Sequence, residues 1–243
     1  MSTLRDRRIV VARDPERAAP LVRYCHEAGA RASALALTQS VGPLDGGLAL
    51  EAAADRIDEF DWILFTSARG VRALDLYPSL AHATRYACVG PSTAQALETR
   101  GYRAEVVASG DGGVALAELL IARYPDAGPL LFIGAQIPAG GMLERLRDAG
   151  MIVEHVASYA TVPRELTAGE LESLEAADIV VVAAPSAVSA LARYVLPSSA
   201  VLVASGPTTA RAARDAGFRV VEASSSDFQA VFEALQHAVE FLS

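Results

Sequence analysis

Two short segments combine glycine, proline and hydroxyl side chains where a helix is predicted to begin. They are Gly90-Pro91-Ser92-Thr93 and Gly206-Pro207-Thr208-Thr209. Proline is favoured in the first helical position because the N–H that it lacks would have no partner there. The free N–H groups and hydroxyls at a helix start can bind an anion. Helix capping alone would also account for either segment, and the repetition of the motif leaves both explanations open.

Other polar side chains follow predicted strands. Thr66 and Ser67 end one strand immediately before a predicted helix, and Ser186 occupies the corresponding place later in the chain. Ligands of open α/β folds bind at the carboxyl ends of parallel strands. Arg13 ends the first predicted strand, so it could contact the same ligand or instead pair with a neighbouring carboxylate.

Tyr159 is the candidate proton donor. It lies in the extended segment Ser158-Tyr159-Ala160-Thr161 and could act as a general acid or serve in packing. Nucleophile and nucleotide motifs are missing, since no G-x-S-x-G sequence is present and no G-x-G-x-x-G sequence follows the first strand. The absence of lysine excludes Schiff-base chemistry and a Walker-type lysine.

The composition limits the partners. The 243 residues carry a net charge of −8, and all 21 basic residues are arginine, which disfavours nucleic-acid binding. Hydrophobic residues make up 52% of the chain but occur in short runs, so we expect no membrane span. The first residues lack a signal-peptide core, which indicates a cytoplasmic protein. Cys25, Cys88 and the four histidines lack metal-ligand spacing, so we predict no metal site.

Apolar runs alternate with helical patterns, which is typical of α/β architecture. Ile9–Ala12 is predicted as a strand, followed by a helix over Pro15–Ala28 with Asp14 as N-cap and Gly29 as C-cap. The last predicted helix is Ser226–Phe241. Further predicted strands are Trp62–Phe65, Tyr86–Val89, Ala104–Val107, Leu130–Ile133, Ile152–Ala157, Ile179–Ala183, Ala200–Ala204 and Arg219–Glu222. This pattern fits two five-stranded parallel sheets better than one barrel.

An internal repeat indicates two copies of one α/β unit. The matching segments are Asp61–Leu74 with Asp178–Leu191, Cys88–Arg103 with Ala204–Arg219 and, more loosely, Ile9–Ala30 with Leu130–Met151. The first strand and helix could complete the sheet of the C-terminal copy. We therefore predict one discontinuous domain of residues 1–36 plus 164–243, and a second domain of residues 42–156. Residues 37–41 and 157–163 would cross between them, with a ligand cleft between the domains.

These residues resemble the uroporphyrinogen-III synthase family over nearly the whole chain. The resemblance rests on Ile9–Arg13, Phe65–Ala68 with Val71, Val89–Ala94, Tyr159–Pro163, Pro185–Val188 and Gly206–Ala210. It implies two similar parallel-sheet domains of flavodoxin- or Rossmann-like type, joined by a two-stranded β-ladder. The resemblance also implies a lyase that needs no cofactor and has a small-molecule substrate. We expect the protein to be a monomer that binds neither nucleic acid nor membrane.

Enzymes of this family convert the linear tetrapyrrole hydroxymethylbilane to uroporphyrinogen III. The terminal hydroxyl leaves, an azafulvene cation forms, and the last ring inverts through a spiro intermediate before closure. The resemblance assigns Tyr159 as the catalytic acid. The predicted substrate-binding residues, which would hold the eight carboxylates, are Arg13, Thr66, Ser67, Ser92, Thr93, Gly134, Ser186, Thr208 and Thr209.

Three positions depart from the family pattern, and each difference removes a hydroxyl or a cation from the predicted cleft. Ala12-Arg13-Asp14 stands for Thr-Arg-Pro, Ala183-Ala184 for Thr-Ser, and Ile133-Gly134 for Arg-Gly. The lost Thr-Ser and Arg-Gly favour an alternative, namely a diverged, non-catalytic protein of the same fold that binds a tetrapyrrole or another anion. The retained Tyr159 and the two Gly-Pro turns favour the enzyme. A two-lobed binding module of the periplasmic type is disfavoured because a signal peptide is not evident.

Overall fold

The computed structural model describes residues 4–82, 85–109, 112–138 and 140–242. The chain forms two compact units. Unit 1 comprises Met1–Gln39 with Val162–Ser243, and unit 2 comprises Ser40–Thr161. Each unit contains helices and a sheet with parallel strand pairs, as the α/β prediction requires.

The strands of the described residues are β1 (Arg8–Ala12), β2 (Arg31–Ala34), β3 (Thr38–Val41), β4 (Trp62–Phe65), β5 (Arg85–Val89), β6 (Val106–Ala108), β7 (Leu130–Ala135), β8 (Val153–Pro163), β9 (Ile179–Val182), β10 (Val201–Ala204) and β11 (Arg219–Glu222).

The α-helices of the same residues are α1 (Pro15–Glu27), α2 (Leu48–Ala54), α3 (Ala68–Val71), α4 (Ala73–Leu76), α5 (Pro91–Glu98), α6 (Gly112–Arg123), α7 (Met142–Asp148), α8 (Ala168–Glu175), α9 (Pro185–Leu191), α10 (Pro207–Asp215) and α11 (Phe228–Ala238). Short 3₁₀ turns cover Ile57–Glu59, Pro78–His82 and Val239–Leu242.

The sheet of unit 1 has the order β11-β10-β9-β1-β2, and every pair in it is parallel. Strands β9 and β10 are apolar along their whole length and β1 is apolar from Ile9 onward, as expected for a sheet that helices cover on both faces. Ile9 packs with Leu21 and Leu235 on one face, while Val10 packs with Leu191 on the other. The carboxyl ends of β1, β9 and β10 therefore meet at one edge, where a ligand could bind.

The second sheet has the order β3-β8-β7-β4-β5-β6, with parallel pairs from β8 to β6. Strands β8 to β6 are the five that were predicted, and β3, which lies in the predicted crossing segment 37–41, adds a sixth strand at the edge beside β8. The strand predicted at Ile152–Ala157 also continues to Pro163. Both differences have the same cause: these polar, partly exposed segments gain strand structure from a neighbouring strand and not from burial of apolar residues.

The helix ends follow the sequence signals closely. Asp14 caps α1 by accepting a hydrogen bond from the Glu16 N–H at 3.1 Å. Ala28 and not Gly29 is the C-cap, and Gly29 follows it with φ +82°, a left-handed conformation that glycine adopts without strain. The last helix begins at Phe228, two residues later than predicted, because Asp227 caps it through the Ala230 N–H.

Candidate active site

Two hydroxyl groups meet at the carboxyl edge of the unit 2 sheet. Ser67 follows β4 and caps α3, accepting a hydrogen bond from the Gly70 N–H at 3.3 Å. Its Oγ lies 3.2 Å from the Oη of Tyr159 on β8, and either group could be the donor. The structure thus brings together two residues that were predicted separately.

A β-bulge lies beside this hydroxyl pair. Gly134 of β7 pairs with Ala157 and Ala135 pairs with Tyr159, so Ser158 is left without a partner in the ladder. The Ser158 hydroxyl instead donates to the Gly134 carbonyl at 3.2 Å. A bulge of this kind changes the direction of the side chains that follow it.

The bulge accounts for the direction of Tyr159. His155 stacks on Phe132, with ring centroids 5.0 Å apart, in the core on one face of the sheet. Residues 155 and 159 would share a face if the strand alternated regularly. Tyr159 instead reaches Ser67, at the start of the helix whose Val71 packs in the core of the opposite face. The extra residue therefore directs the phenol towards Ser67.

Gly134 has a steric role at the bulge. A Cβ atom at this position would lie 2.6 Å from the Phe132 ring, closer than van der Waals contact allows. The absence of a side chain at Gly134, a predicted substrate-binding residue, thus leaves room for the Phe132 ring of the same strand. A direct substrate contact by Gly134 stays a prediction.

Arg69 is a site residue that sequence reasoning missed. Its guanidinium carbon lies 4.9 Å from the centroid of the Tyr159 ring, within the range of a cation–π interaction. Arg69 is exposed, and no carboxylate of the described residues lies within 4.0 Å of it. The sequence could have indicated Arg69, because it stands two residues after Ser67 in the same strand-to-helix turn.

Gln136 holds the chain on the other side of Tyr159. Its N–H donates to the Tyr159 carbonyl at 2.7 Å, and its Oε1 accepts a hydrogen bond from the Leu44 N–H at 3.2 Å. The backbone around the phenol is therefore held by the bulge and by Gln136.

Thr66, which precedes Ser67, is half-buried.

The two Gly-Pro segments begin α5 and α10, as predicted. Within each segment the two hydroxyl residues differ in exposure. Ser92 and Thr208 are exposed, whereas Thr93 and Thr209 are 2% and 5% exposed. Substrate binding by Thr93 and Thr209 stays a prediction, and their burial leaves the backbone N–H groups as the donors that these two residues could offer. The third helical position faces the sheet, so only Ser92 and Thr208 offer accessible hydroxyls.

The predicted residues of unit 1 lie at the carboxyl edge of their own sheet. Ser186 is half-buried in the first turn of α9, whose N-cap Ala184 has no side chain that could cap the helix. Arg13 is exposed after β1 and lines a cavity together with Arg17.

The remaining titratable candidates have structural roles. Burial lowers the pKa of His155, whose Nε2 lies 3.0 Å from the Ala135 carbonyl oxygen. Burial raises the pKa of Cys25 and of Cys88 to about 11, so both thiols stay protonated at neutral pH. Within the described ranges, no group of three or more His, Cys, Asp or Glu side chains could hold a metal ion. No helix of these ranges is long and apolar enough to cross a membrane.

The fold and the site define an α/β protein with parallel sheets and a hydroxyl-bearing site at a carboxyl edge. A family model described as uroporphyrinogen-III synthase HemD matches residues 19–233. The chain therefore belongs to the uroporphyrinogen-III synthase family. A comparison with curated protein sequences finds no match.

Solved structures of this family share the fold. Uroporphyrinogen-III synthetase from Helicobacter pylori 26695 aligns with a TM-score of 0.66 at 19% identity, covering 95% of this chain and 99% of that one. A mutant uroporphyrinogen III synthase from the extremely thermophilic bacterium Thermus thermophilus aligns with a TM-score of 0.59 at 16% identity, covering 97% and 99%. At these identities the likeness establishes the fold.

Proposed function

We propose that this chain cyclises hydroxymethylbilane to uroporphyrinogen III with inversion of the terminal pyrrole ring, as a lyase. Membership of the uroporphyrinogen-III synthase family supports the reaction. The observation that carries the assignment of residues is the phenol of Tyr159, whose Oη lies 3.2 Å from Ser67 Oγ. The phenol is also next to an exposed arginine at a carboxyl edge where ligands of α/β folds bind.

Tyr159 acts as the general acid in this proposal. Its O–H donates a proton to the terminal hydroxyl of the substrate, the C–O bond breaks, and the departure of water leaves an azafulvene cation and the Tyr159 phenolate. Ser67 donates a hydrogen bond to the phenolate oxygen that forms. The Arg69 guanidinium stabilises the same negative charge through its position over the ring.

The cation then forms the new carbon–carbon bonds. The methylene carbon of the cation first bonds to the substituted α-carbon of the terminal ring, which gives the spiro intermediate. The original bond from that α-carbon to its methylene bridge then breaks, and this methylene bonds to the unsubstituted α-carbon of the same ring, so that the ring is inverted. The proton lost from the ring carbon at closure restores the Tyr159 hydroxyl. The net change is loss of one water and formation of one ring, so the reaction needs no oxidant, reductant or cofactor.

The carboxylates of the substrate need several dispersed donors. We assign this role to Arg69 and to the backbone N–H groups at the starts of α5 and α10, where Ser92 and Thr208 add accessible hydroxyls. A helix terminus contributes about 0.3–1 kcal/mol to binding an exposed negative group. The loss of one hydroxyl should therefore weaken binding only several-fold. We propose that the enzyme works as a monomer.

The isomer composition of the product tests the function. Freshly prepared hydroxymethylbilane is incubated with the enzyme, and the uroporphyrinogens are oxidised and separated by chromatography. We expect type III to dominate, against type I in a reaction without protein, because the substrate also cyclises spontaneously. Type I alone in the presence of the protein would contradict the proposal and favour a non-catalytic binding protein.

A further inference from the structure

A small cavity of about 170 Å³ opens at the carboxyl edge of the unit 1 sheet. Most of the residues in its walls are apolar, and Ser205 and Ser226 also line it. The apolar residues come from the end of β1, from α1 and from α11, and include Val11, Leu21, Phe228 and Val231. Phe228 is held by Tyr24, since the two rings pack edge to face with centroids 5.0 Å apart. The cavity is therefore a built feature of the unit, with walls that are fixed by packing.

Two arginines flank this apolar cavity. Arg13 and Arg17 both line it, and both are exposed. Neither guanidinium has a carboxylate within 4.0 Å in the part of the chain that the structure describes. Two cations beside an apolar wall attract a ligand that has an apolar body and an acidic group. Arginine suits a carboxylate in particular, because its planar fork can donate two parallel hydrogen bonds.

The size of the cavity limits the ligand. Sites for drug-sized molecules occupy about 300–1,000 Å³, so about 170 Å³ is too small for four linked pyrrole rings. One pyrrole ring with its acidic side chains is of the right order. Two guanidiniums also match the two carboxylates, one acetate and one propionate, of a single ring.

One wall residue of the cavity lies at a position where the two copies of the internal repeat differ. Ala183 lines it and corresponds to Thr66 of the other copy. Threonine at position 183 would add two heavy atoms to the wall. The loss of this hydroxyl residue therefore coincides with space for a ligand. The replacement of the family's threonine by Ala183 therefore leaves space in this cavity.

We propose that this cavity binds one pyrrole ring of the tetrapyrrole, with Arg13 and Arg17 on its carboxylates. This inference rests on the proposed function, because it assigns part of the same substrate to unit 1. In this role Arg17 fixes the position of the substrate and takes no part in proton transfer.

Binding of porphobilinogen, a single pyrrole with one acetate and one propionate, tests the cavity directly. Calorimetric titration of the full chain should show binding that Arg17→Gln weakens about tenfold, the effect of one lost charge-assisted hydrogen bond. Ala183→Leu should abolish the binding by filling the space. Arg23→Gln is the matched control, because Arg23 is exposed on the same helix and does not line the cavity. Circular dichroism verifies that each variant is folded.

Turnover separates this proposal from the proposed function. Arg17→Gln should raise the KM for hydroxymethylbilane with little change in kcat. Porphobilinogen binding that is the same in wild type, Arg17→Gln and Ala183→Leu would overturn the cavity proposal, even if the wild type makes the type III isomer. Arg17-dependent binding by a protein that makes only type I would support the cavity and overturn the proposed function.

Discussion

The turns that follow β4 and β9 have nearly the same backbone but different side chains. The N-cap residues Ser67 and Ala184 have φ, ψ values of −155°, 149° and −155°, 150°. In each turn the N–H three residues later donates to the N-cap carbonyl at 3.0 Å, from Gly70 and from Ala187. The repeat in the sequence is therefore a repeat in backbone geometry.

Only the turn of unit 2 has a hydroxyl at the N-cap. Ser67 caps its helix and contacts Tyr159, whereas Ala184 can do neither. At the carboxyl edge of its own sheet, unit 1 instead has an apolar cavity flanked by arginines. The comparison teaches that duplication preserved the scaffold while the side chains at the two edges diverged. We infer that one edge performs chemistry and the other holds substrate.

The largest expected effect is that of Tyr159→Phe, which removes the proposed acid. We expect turnover of hydroxymethylbilane to type III product to fall about 10²–10⁴-fold, the usual contribution of a general acid. Tyr194→Phe is the control from unit 1, where the phenol donates to the Arg164 carbonyl at 3.2 Å. If the two variants lose activity equally, the assignment of chemistry to unit 2 fails.

Gly134→Ala should have the next largest effect, a loss of stability, because the new Cβ would lie 2.6 Å from the Phe132 ring. Overpacking of this kind costs about 1–3 kcal/mol in the free energy of unfolding. Trp62, the single tryptophan of the chain, is buried in unit 2, so its fluorescence in urea reports on that unit. Gly42→Ala, in the same unit and at a position where a Cβ meets nothing within 4 Å, should not destabilise the unit. A Gly134→Ala variant as stable as wild type would contradict the steric role.

Exchanging the N-cap residues should have effects of opposite sign. Ser67→Ala removes a capping hydroxyl and should lower the free energy of unfolding by about 1 kcal/mol, read from Trp62 fluorescence. Ala184→Ser should raise it by a similar amount, read by circular dichroism, because the backbone already has the capping conformation. Changes of the same sign in both variants would show that the two turns are not equivalent.

The smallest effect concerns acid sensitivity at the start of α8 in unit 1. The Arg164 guanidinium, with the Thr167 N–H, lowers the pKa of Glu170 from 4.5 to about 2. Because the pKa of Glu170 is lower in the folded state than in the unfolded state, its ionised carboxylate stabilises the folded state fully above about pH 4.5. This stabilisation is lost as the pH falls towards 2. Glu170→Gln should flatten the acid-unfolding curve in this range. Glu172→Gln on the same helix should leave the curve unchanged, and a matching change there would refute the assignment.

The buried strands could be predicted from the sequence with accurate limits. Trp62–Phe65 has the bounds that were predicted, and Ile179–Val182 ends one residue before the predicted end, because apolar residues of a doubly covered sheet form short continuous runs. β2 was not predicted as a strand, and β3 was predicted only as an extended crossing segment, since Arg31–Ala34 and Thr38–Val41 carry polar, partly exposed residues. Their structure depends on pairing with other strands, which the local sequence does not encode.

The candidate site was predictable in two of its residues, Ser67 and Tyr159, but not in Arg69 and not in its geometry. Ser67 and Tyr159 stood out as a hydroxyl at a strand end and a tyrosine in an extended segment. Their contact depends on the bulge at Ser158, which arises from the register between β7 and β8. The burial of Thr93 and Thr209 likewise depends on which side of each helix faces its sheet. Pairing and packing of this kind become visible only in three dimensions.

The central claim is that Ser67 and Tyr159 act as one catalytic unit, and a double-mutant cycle on turnover tests it most directly. Residues that act together lose activity non-additively. Ser67→Ala, Tyr159→Phe and the double variant are compared in production of the type III isomer. We predict that the double variant is about as slow as Tyr159→Phe alone, because the Ser67 hydroxyl acts through the phenol. A double variant slowed by the product of the two single effects would contradict the claim.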